Sequence, residues 1–165
     1  MKVVIAGGGS VGLSIARELL RHEHSVLIID ENEAPSDREG FEAAEWLVGD
    51  ACELVTLQRA GVEEADVVVS ATGDDKANLV VSLLAKTEFG VGRTVGRVNN
   101  PKNDWMFDDA WGVDVAVSTP RLMTALVEEA VEVGDVVRLL TLRTGETTMV
   151  AYTVPFDGPA VGRLL

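Results

Sequence analysis

Residues 1–30, MKVVIAGGGSVGLSIARELLRHEHSVLIID, decide the fold. Val3 to Ala6 is a short apolar run, the pattern of a buried strand. It passes directly into Gly7-Gly8-Gly9-Ser10-Val11-Gly12, which satisfies G-x-G-x-x-G. Val11, Ile15, Ala16, Leu19 and Leu20 then share one helical face, and Ser25 to Ile29 forms a second strand that closes on Asp30. Strand, glycine turn, helix, strand and acid follow in the order that a dinucleotide-binding unit requires.

Each residue type has a physical job in that reading. Gly7 allows the tight turn out of the strand, Gly9 lets the backbone approach a pyrophosphate, and Gly12 lets the helix pack close to the sheet. Ser10 and Val11 open a helix whose free N–H groups and positive dipole end favour phosphate. Asp30 lies eighteen positions after Gly12. Its carboxylate can accept hydrogen bonds from ribose hydroxyls and would repel a 2′-phosphate. A bare glycine-rich turn leaves a non-binding α/β loop equally open; the flanking strands, helix and Asp30 move the reading to nucleotide binding.

The 165 residues suffice for one full domain and a fragment, and 47% hydrophobic content supports a sizeable core. No apolar run is long enough to span a bilayer, and the strand-like N-terminus lacks the charged and cleavage regions of a signal peptide. These features predict a cytoplasmic protein without direct membrane insertion. Net charge is −13, from 27 acids against 14 bases, which argues against nucleic acid as a partner. Only Lys2, Lys76, Lys86 and Lys102 are lysines, and an acid-rich, lysine-poor surface predicts a halophilic, high-salt setting. The lone Cys52 excludes an internal disulfide and a cysteine zinc site, and reads as a small buried hydrophobe. His22 and His24 do not share a helix face, so no metal site is expected.

Further along, Glu31 to Glu45 predicts a loop with a short exposed helix. Trp46 to Val48 predicts a third strand, Glu53 to Ala60 a short helix, and Ala65 to Ser70 a fourth strand. A helix carrying Asn78 and running to about Phe89 follows, then a fifth strand, Arg93 to Val98. Asn100-Pro101 predicts the start of a helix over Lys102 to Trp111, Val113 to Val117 a sixth strand, and Thr119-Pro120 a helix to Val133. Six strands alternating with helices specify an α/β fold, a doubly wound, Rossmann-type parallel six-stranded sheet. After Gly134, Asp135 to Leu142 and Thr147 to Val154 predict a short C-terminal β-hairpin around Thr144-Gly145-Glu146, followed by the proline- and glycine-bearing Pro155 to Leu165. The domain reading is therefore 1–133 for the sheet and 134–165 for a hinge and partial second domain.

Ligands of such sheets bind outside the carboxyl ends of the strands, where the strand order reverses. Gly7 to Gly12, Asp30, Asp50-Ala51, Ser70 to Asp74, Arg97 to Asn99 and Ser118 fall there. Arg97, a charge inside an apolar strand, suits a phosphate or ribose; the alternative is an ion pair with a nearby acid. Asp74 and Asp75, after Gly73 at a helix start, read as caps that complement the helix dipole, with a metal or ligand role as the alternative. Asp50 either caps the next helix or touches the base, and Asn78 reaches the phosphate region or makes a local hydrogen bond.

GGGSVG, VLIID, Gly49-Asp50-Ala51, Val67 to Asn78 (VVVSATGDDKAN), Arg97 to Pro101 (RVNNP) and Val113 to Pro120 (VDVAVSTP) together resemble a known family. These are the TrkA N-terminal, or RCK/KTN, domains, regulatory subunits of prokaryotic potassium channels and transporters. The resemblance covers about residues 1 to 133, and the tail resembles the hinge and first strands of the family's C-terminal domain. It implies a cytoplasmic regulator, peripheral to the membrane through its partner, that binds NAD(H) or ATP/ADP. It also implies a homo-oligomer, a dimer or ring of dimers, that transmits ligand state to a membrane potassium transporter or channel. It places Gly7, Gly9, Ser10, Val11, Gly12, Asp30, Asp50, Ala51, Thr72, Gly73, Asn78 and Arg97 at the nucleotide. Many ATP-binding members carry arginine where this chain has Ser10, so the resemblance favours NAD(H) over a triphosphate and leaves AMP open. The competing reading is a small NAD-dependent oxidoreductase. It is disfavoured because the only Tyr is Tyr152, both His precede residue 25 and no Lys follows Lys102.

Overall fold

The computed structural model of the chain describes residues 1–131, 136–141, 148–152 and 154. The chain divides into two compact units, Met1–Val117 and Ser118–Leu165. The first unit is built on β1 (Lys2–Ala6), β2 (Ser25–Asp30), β3 (Glu45–Val48), β4 (Val67–Ser70) and β5 (Arg93–Val98), with β6 (Val115–Ser118) at the unit boundary. They form one six-stranded sheet in the order β3-β2-β1-β4-β5-β6. β1 pairs in parallel with β2 (Val3 opposite Val26) and with β4 (Val3 opposite Val67). β2 with β3 and β4 with β5 are parallel as well. The strand order therefore reverses between β1 and β4, which puts the switch-point crevice at their carboxyl ends.

Period-two alternation along β1 splits the core into two layers. Val4 and Ala6 face a cluster with Ile29, Leu57, Val62, Val68, Val81 and Ala85. Val3 and Ile5 face the other, with Ala16, Val26, Ile28, Phe41 and Val69. Val4, Ile5, Ile28 and Ile29 are fully buried, each worth about 1.5–3 kcal/mol relative to exposure. α1 (Ser10–Arg21) packs through Gly12 and Ala16. α2 (Leu54–Arg59) brings Leu57 to the opposite layer, and α3 (Asp75–Thr87) adds Val81 and Ala85 there.

Two expected helices are replaced by other structure. Glu31 to Glu45 contains turns and no helix. Gly40 takes φ +80°, and Phe41 is fully buried, with the guanidinium carbons of Arg17 and Arg38 5.2 and 5.6 Å from its ring centroid. A buried aromatic with two cations near its ring holds this segment down, so it needs no helix. Lys102 to Trp111 is not one α-helix but two 3-10 turns, Pro101–Met106 and Asp109–Trp111. Asp108 divides them, because its carboxylate accepts from the N–H groups of Ala110 and Trp111 and caps a fresh turn. Phe107 just before it is buried and would touch any Cβ added at Gly96.

In the second unit, α4 (Thr119–Val131) lies against β7 (Val136–Thr141), which pairs antiparallel with β8 (Thr148–Tyr152). The boundary between the two compact units falls just before α4. The expected turn at Thr144 to Glu146 and the segment Pro155 to Leu165 lie outside the described residues. Among the described residues, no helix is long and apolar enough to cross a membrane.

Candidate functional site

A cleft of about 670 Å³ opens at the carboxyl ends of β1, β2, β4 and β5. Its floor is the turn that leaves β1. Gly7 has φ +109°, and a Cβ there would lie 2.9 Å from the backbone of Ala71 and Thr72, so only glycine fits between β1 and the end of β4. A Cβ at Gly12 would collide with the Gly7 carbonyl, which is why α1 can start so close to the strand. Gly9 faces open space, and as the N-cap of α1 it offers no side-chain acceptor to the first turn. The first N–H groups of α1 are therefore left for an anion.

Asp30 forms the wall at the end of β2. Its Oδ2 accepts from the Gly8 N–H at 2.7 Å, and its Oδ1 accepts from the backbone and side-chain N–H groups of Asn32 at 2.9 and 3.0 Å. Burial pushes its carboxyl up, but the bonds from Asn32 N–H, Gly8 N–H and the Asn32 amide outweigh this and hold it below the ordinary carboxylate value. The Trp46 ring lies against Gly8, and its Nε1 donates to the Asn32 carbonyl at 3.0 Å, bracing the same wall. Asp50 follows β3 and does not cap α2, whose N-cap is Glu53. Asp50 accepts from the Cys52 N–H at 2.7 Å and lines the cleft. Burial, then the negative charge of Asp50, raises the Cys52 thiol to about 11, so the sulfur stays protonated.

The far wall is Thr72-Gly73 after β4 and Arg97 near the end of β5. Arg97 makes no salt bridge or side-chain hydrogen bond among the described residues, and its Nε is buried without a partner. The alternative of an ion pair with a neighbouring acid is thus not what this geometry contains. A buried guanidinium nitrogen without an acceptor, in the wall of an open cleft, is suited to an anionic ligand.

The cleft brings together Gly7, Gly9, Ser10, Asp30, Asp50, Ala51, Thr72, Gly73 and Arg97 of the residues expected at the nucleotide. Val11, Gly12 and Asn78 do not line it. Gly12 is buried against the β1 turn, and Asn78 is fully buried and hydrogen-bonded to the Thr72 turn. The cleft also takes in Asp74, which the sequence reading put at this edge, and Glu31, Asn32, Cys52 and Ala77, which it did not. Asn32 carried one usable signal, an amide two residues after an aspartate at a strand end, the spacing of an Asx-type turn. Asp74 is the N-cap that was expected, accepting from the Lys76 N–H. Asp75 is not a local cap; its carboxylate binds residues 99, 100 and 103.

A family model for the TrkA-N domain matches residues 3–119. A Trk system potassium uptake protein TrkA from Mycobacterium tuberculosis (strain CDC 1551 / Oshkosh) is 54% identical over 163 residues, covering 99% of this chain and 74% of that protein. Among solved structures, GsuK bound to ADP is similar at 27% identity and a TM-score of 0.70, over 79% of this chain and 34% of that one. The GsuK channel bound to NAD is similar at 27% identity and a TM-score of 0.67, over 78% of this chain and 23% of that one. This chain therefore spans only a minor part of either GsuK chain.

Proposed function

The chain belongs to the TrkA-N domain family, and from that premise we propose that it is a nucleotide-sensing regulatory subunit of a potassium uptake system, with NAD(H) as the favoured ligand of the cleft. The observation that carries the reading is Arg97: a cation without an acceptor, across the cleft from both an uncapped helix N-terminus and the strand-end carboxylate of Asp30. In this reading Ser10 and the α1 N-terminus hold the pyrophosphate, Arg97 neutralises it, and Asp30 accepts from the adenosine ribose. Asp50 and Ala51 flank the base. The NAD-bound and ADP-bound GsuK relatives support adenine nucleotides as the ligand class. ADP and AMP satisfy the same contacts. ATP suits the cleft less well, because Asp30, Glu31, Asp50 and Asp74 line it against the single cation Arg97 among the described residues.

The protein works in the cytoplasm, as a dimer or ring of dimers, and passes its ligand state to a membrane-embedded potassium transporter or channel. The thermal stability of the purified chain tests the binding step. A ligand at 100 times its dissociation constant adds about 2.7 kcal/mol to folding. NADH and NAD should raise the melting temperature most, ADP and AMP next, and NADP(H) least among dinucleotides. No shift with any nucleotide at millimolar concentration overturns the reading. The oxidoreductase alternative is separated by incubating the chain with NADH and a panel of carbonyl compounds: the regulatory reading expects the cofactor to remain reduced.

A further inference from the structure

We propose that Asp75 and Asn78 are positioning residues for Arg97, together holding the end of β5 so that its guanidinium meets the phosphate of a bound nucleotide. This rests on the reading of Arg97 as the phosphate contact.

The need for such a device is visible in the sheet. On its β4 side the ladder of β5 ends at Gly96, opposite Ser70. Arg97 sits one residue beyond, and its side chain has no partner among the described residues to fix it. Its position is therefore set by its backbone, and two side chains from the first turn of α3 hold that backbone, one at the Arg97 carbonyl and one just beyond it. Asn78 is fully buried and uses its whole amide. Its Nδ2 donates to the Arg97 carbonyl at 2.8 Å and to the Thr72 carbonyl at 3.2 Å. Its Oδ1 accepts from the Thr72 N–H and hydroxyl at 2.9 and 2.7 Å. One side chain thus joins the two parts of the far wall, the Thr72 turn and Arg97.

Asp75, three residues earlier on the same helix, grips the chain that follows. Its Oδ1 accepts from the Asn99 N–H at 2.6 Å and the Asn99 amide at 3.0 Å. Its Oδ2 accepts from the Asn100 N–H at 3.0 Å and the Asn103 amide at 2.8 Å. Asn99 closes the ring by donating to the Thr72 carbonyl at 3.0 Å. Neither Asp75 nor Asn78 lines the cleft, so both act on a ligand only through what they hold. The arrangement needs donors from Asn78 and acceptors from Asp75. The isosteric exchanges Asn78→Asp and Asp75→Asn keep the volume and reverse that chemistry.

The test compares ADP with adenosine, which share the base and ribose and differ in the phosphates. Affinities for both are measured calorimetrically on the full chain, for wild type, Asp75→Asn, Asn78→Asp, Arg97→Gln and each double variant with Arg97→Gln. Each positioning variant should weaken ADP about tenfold or more and leave adenosine within about twofold. In the Arg97→Gln background neither should weaken ADP further, the non-additivity expected of groups that act through one another. Should an isosteric variant fail to fold by circular dichroism, Asn103→Ala, which removes one bond from Asp75, carries the same comparison with a drop of about threefold. Equal losses for ADP and adenosine, or losses undiminished in the Arg97→Gln background, overturn the proposal while leaving Arg97 at the phosphate. Unchanged ADP affinity in Arg97→Gln alone overturns instead the reading on which it rests.

Discussion

Replacing Asp30 with alanine should damage folding and binding separately, and the two losses can be measured apart. The folding loss follows from what the carboxylate holds without any ligand. It gives up the 2.7 Å bond from the half-buried Gly8 N–H and two bonds from Asn32 at the surface. A charge-assisted bond to a half-buried donor contributes about 1.5–3 kcal/mol, and exposed bonds far less, so about 2 kcal/mol is expected. For a chain of this size that is roughly 4–8 °C in Tm. The binding loss follows from the ribose contacts, about 1.5–3 kcal/mol, or roughly a 10- to 150-fold weaker Kd for NADH. Removing the negative charge should also raise the affinity for NADPH relative to NADH. Calorimetric titrations of both dinucleotides, well below the variant's Tm, read the second loss free of the first. A variant that melts earlier but binds NADH as tightly as wild type, with the same preference over NADPH, would reduce Asp30 to an anchor for the glycine turn. The assignment of the adenosine ribose to this wall would then fail.

Acid should weaken the protein through Asp75 as well as Asp30. Burial raises the Asp75 carboxyl, but bonds from Asn99, Asn103 and Asn100 prevail and hold it below its ordinary 3.8. Its stabilisation is therefore complete above that value and is lost as pH falls below it toward the native pKa. Denaturant midpoints measured between pH 7 and pH 2.5 should fall less steeply below pH 4 for Asp75→Asn than for wild type, and parallel curves would contradict this. The net charge of −13 predicts a higher Tm at 1 M than at 0.1 M salt, since the Debye length shortens from about 10 to about 3 Å. An unchanged Tm would remove the halophile expectation. On α4, Met123, Leu126, Val127 and Val131 are exposed, an apolar stripe that predicts a dimer in light scattering and a monomer after Val127→Asp. A wild-type monomer at high salt would refute it.

What the sequence could and could not disclose follows from how local each interaction is. The β1–turn–α1 unit was legible because the strand run, the glycine turn and the helix face all lie within thirty residues and all report one geometry. Placing Asp50, Thr72 and Arg97 beside it needed only the rule that parallel strands bring their carboxyl ends to one edge. The two helices that did not form were predicted from patterns that are real but outweighed. Phe41 anchors its segment through Arg17, which precedes that segment and stacks near its ring as Arg38 does, and Asp108 satisfies backbone donors that a continuous helix would have used.

The first turn of α3 shows the limit most clearly. Asp74, Asp75 and Asn78 are all short polar residues at a helix start, where a cap is the economical local explanation. Only Asp74 serves that way, accepting from Lys76 two residues on. Asp75 and Asn78 turn inward to a strand end about twenty residues later in the chain. Propensity cannot separate these cases, because the same carboxylate or amide meets the same local rule whether its partner is its own helix or a distant strand. The discriminating quantity is burial, and burial here is decided by the β4–β5 pairing rather than by any residue within α3. A sequence reading can therefore find the groups that face a ligand sooner than the groups that hold them in place. In the reading proposed for this cleft, the second set determines whether Arg97 stands where a phosphate can use it.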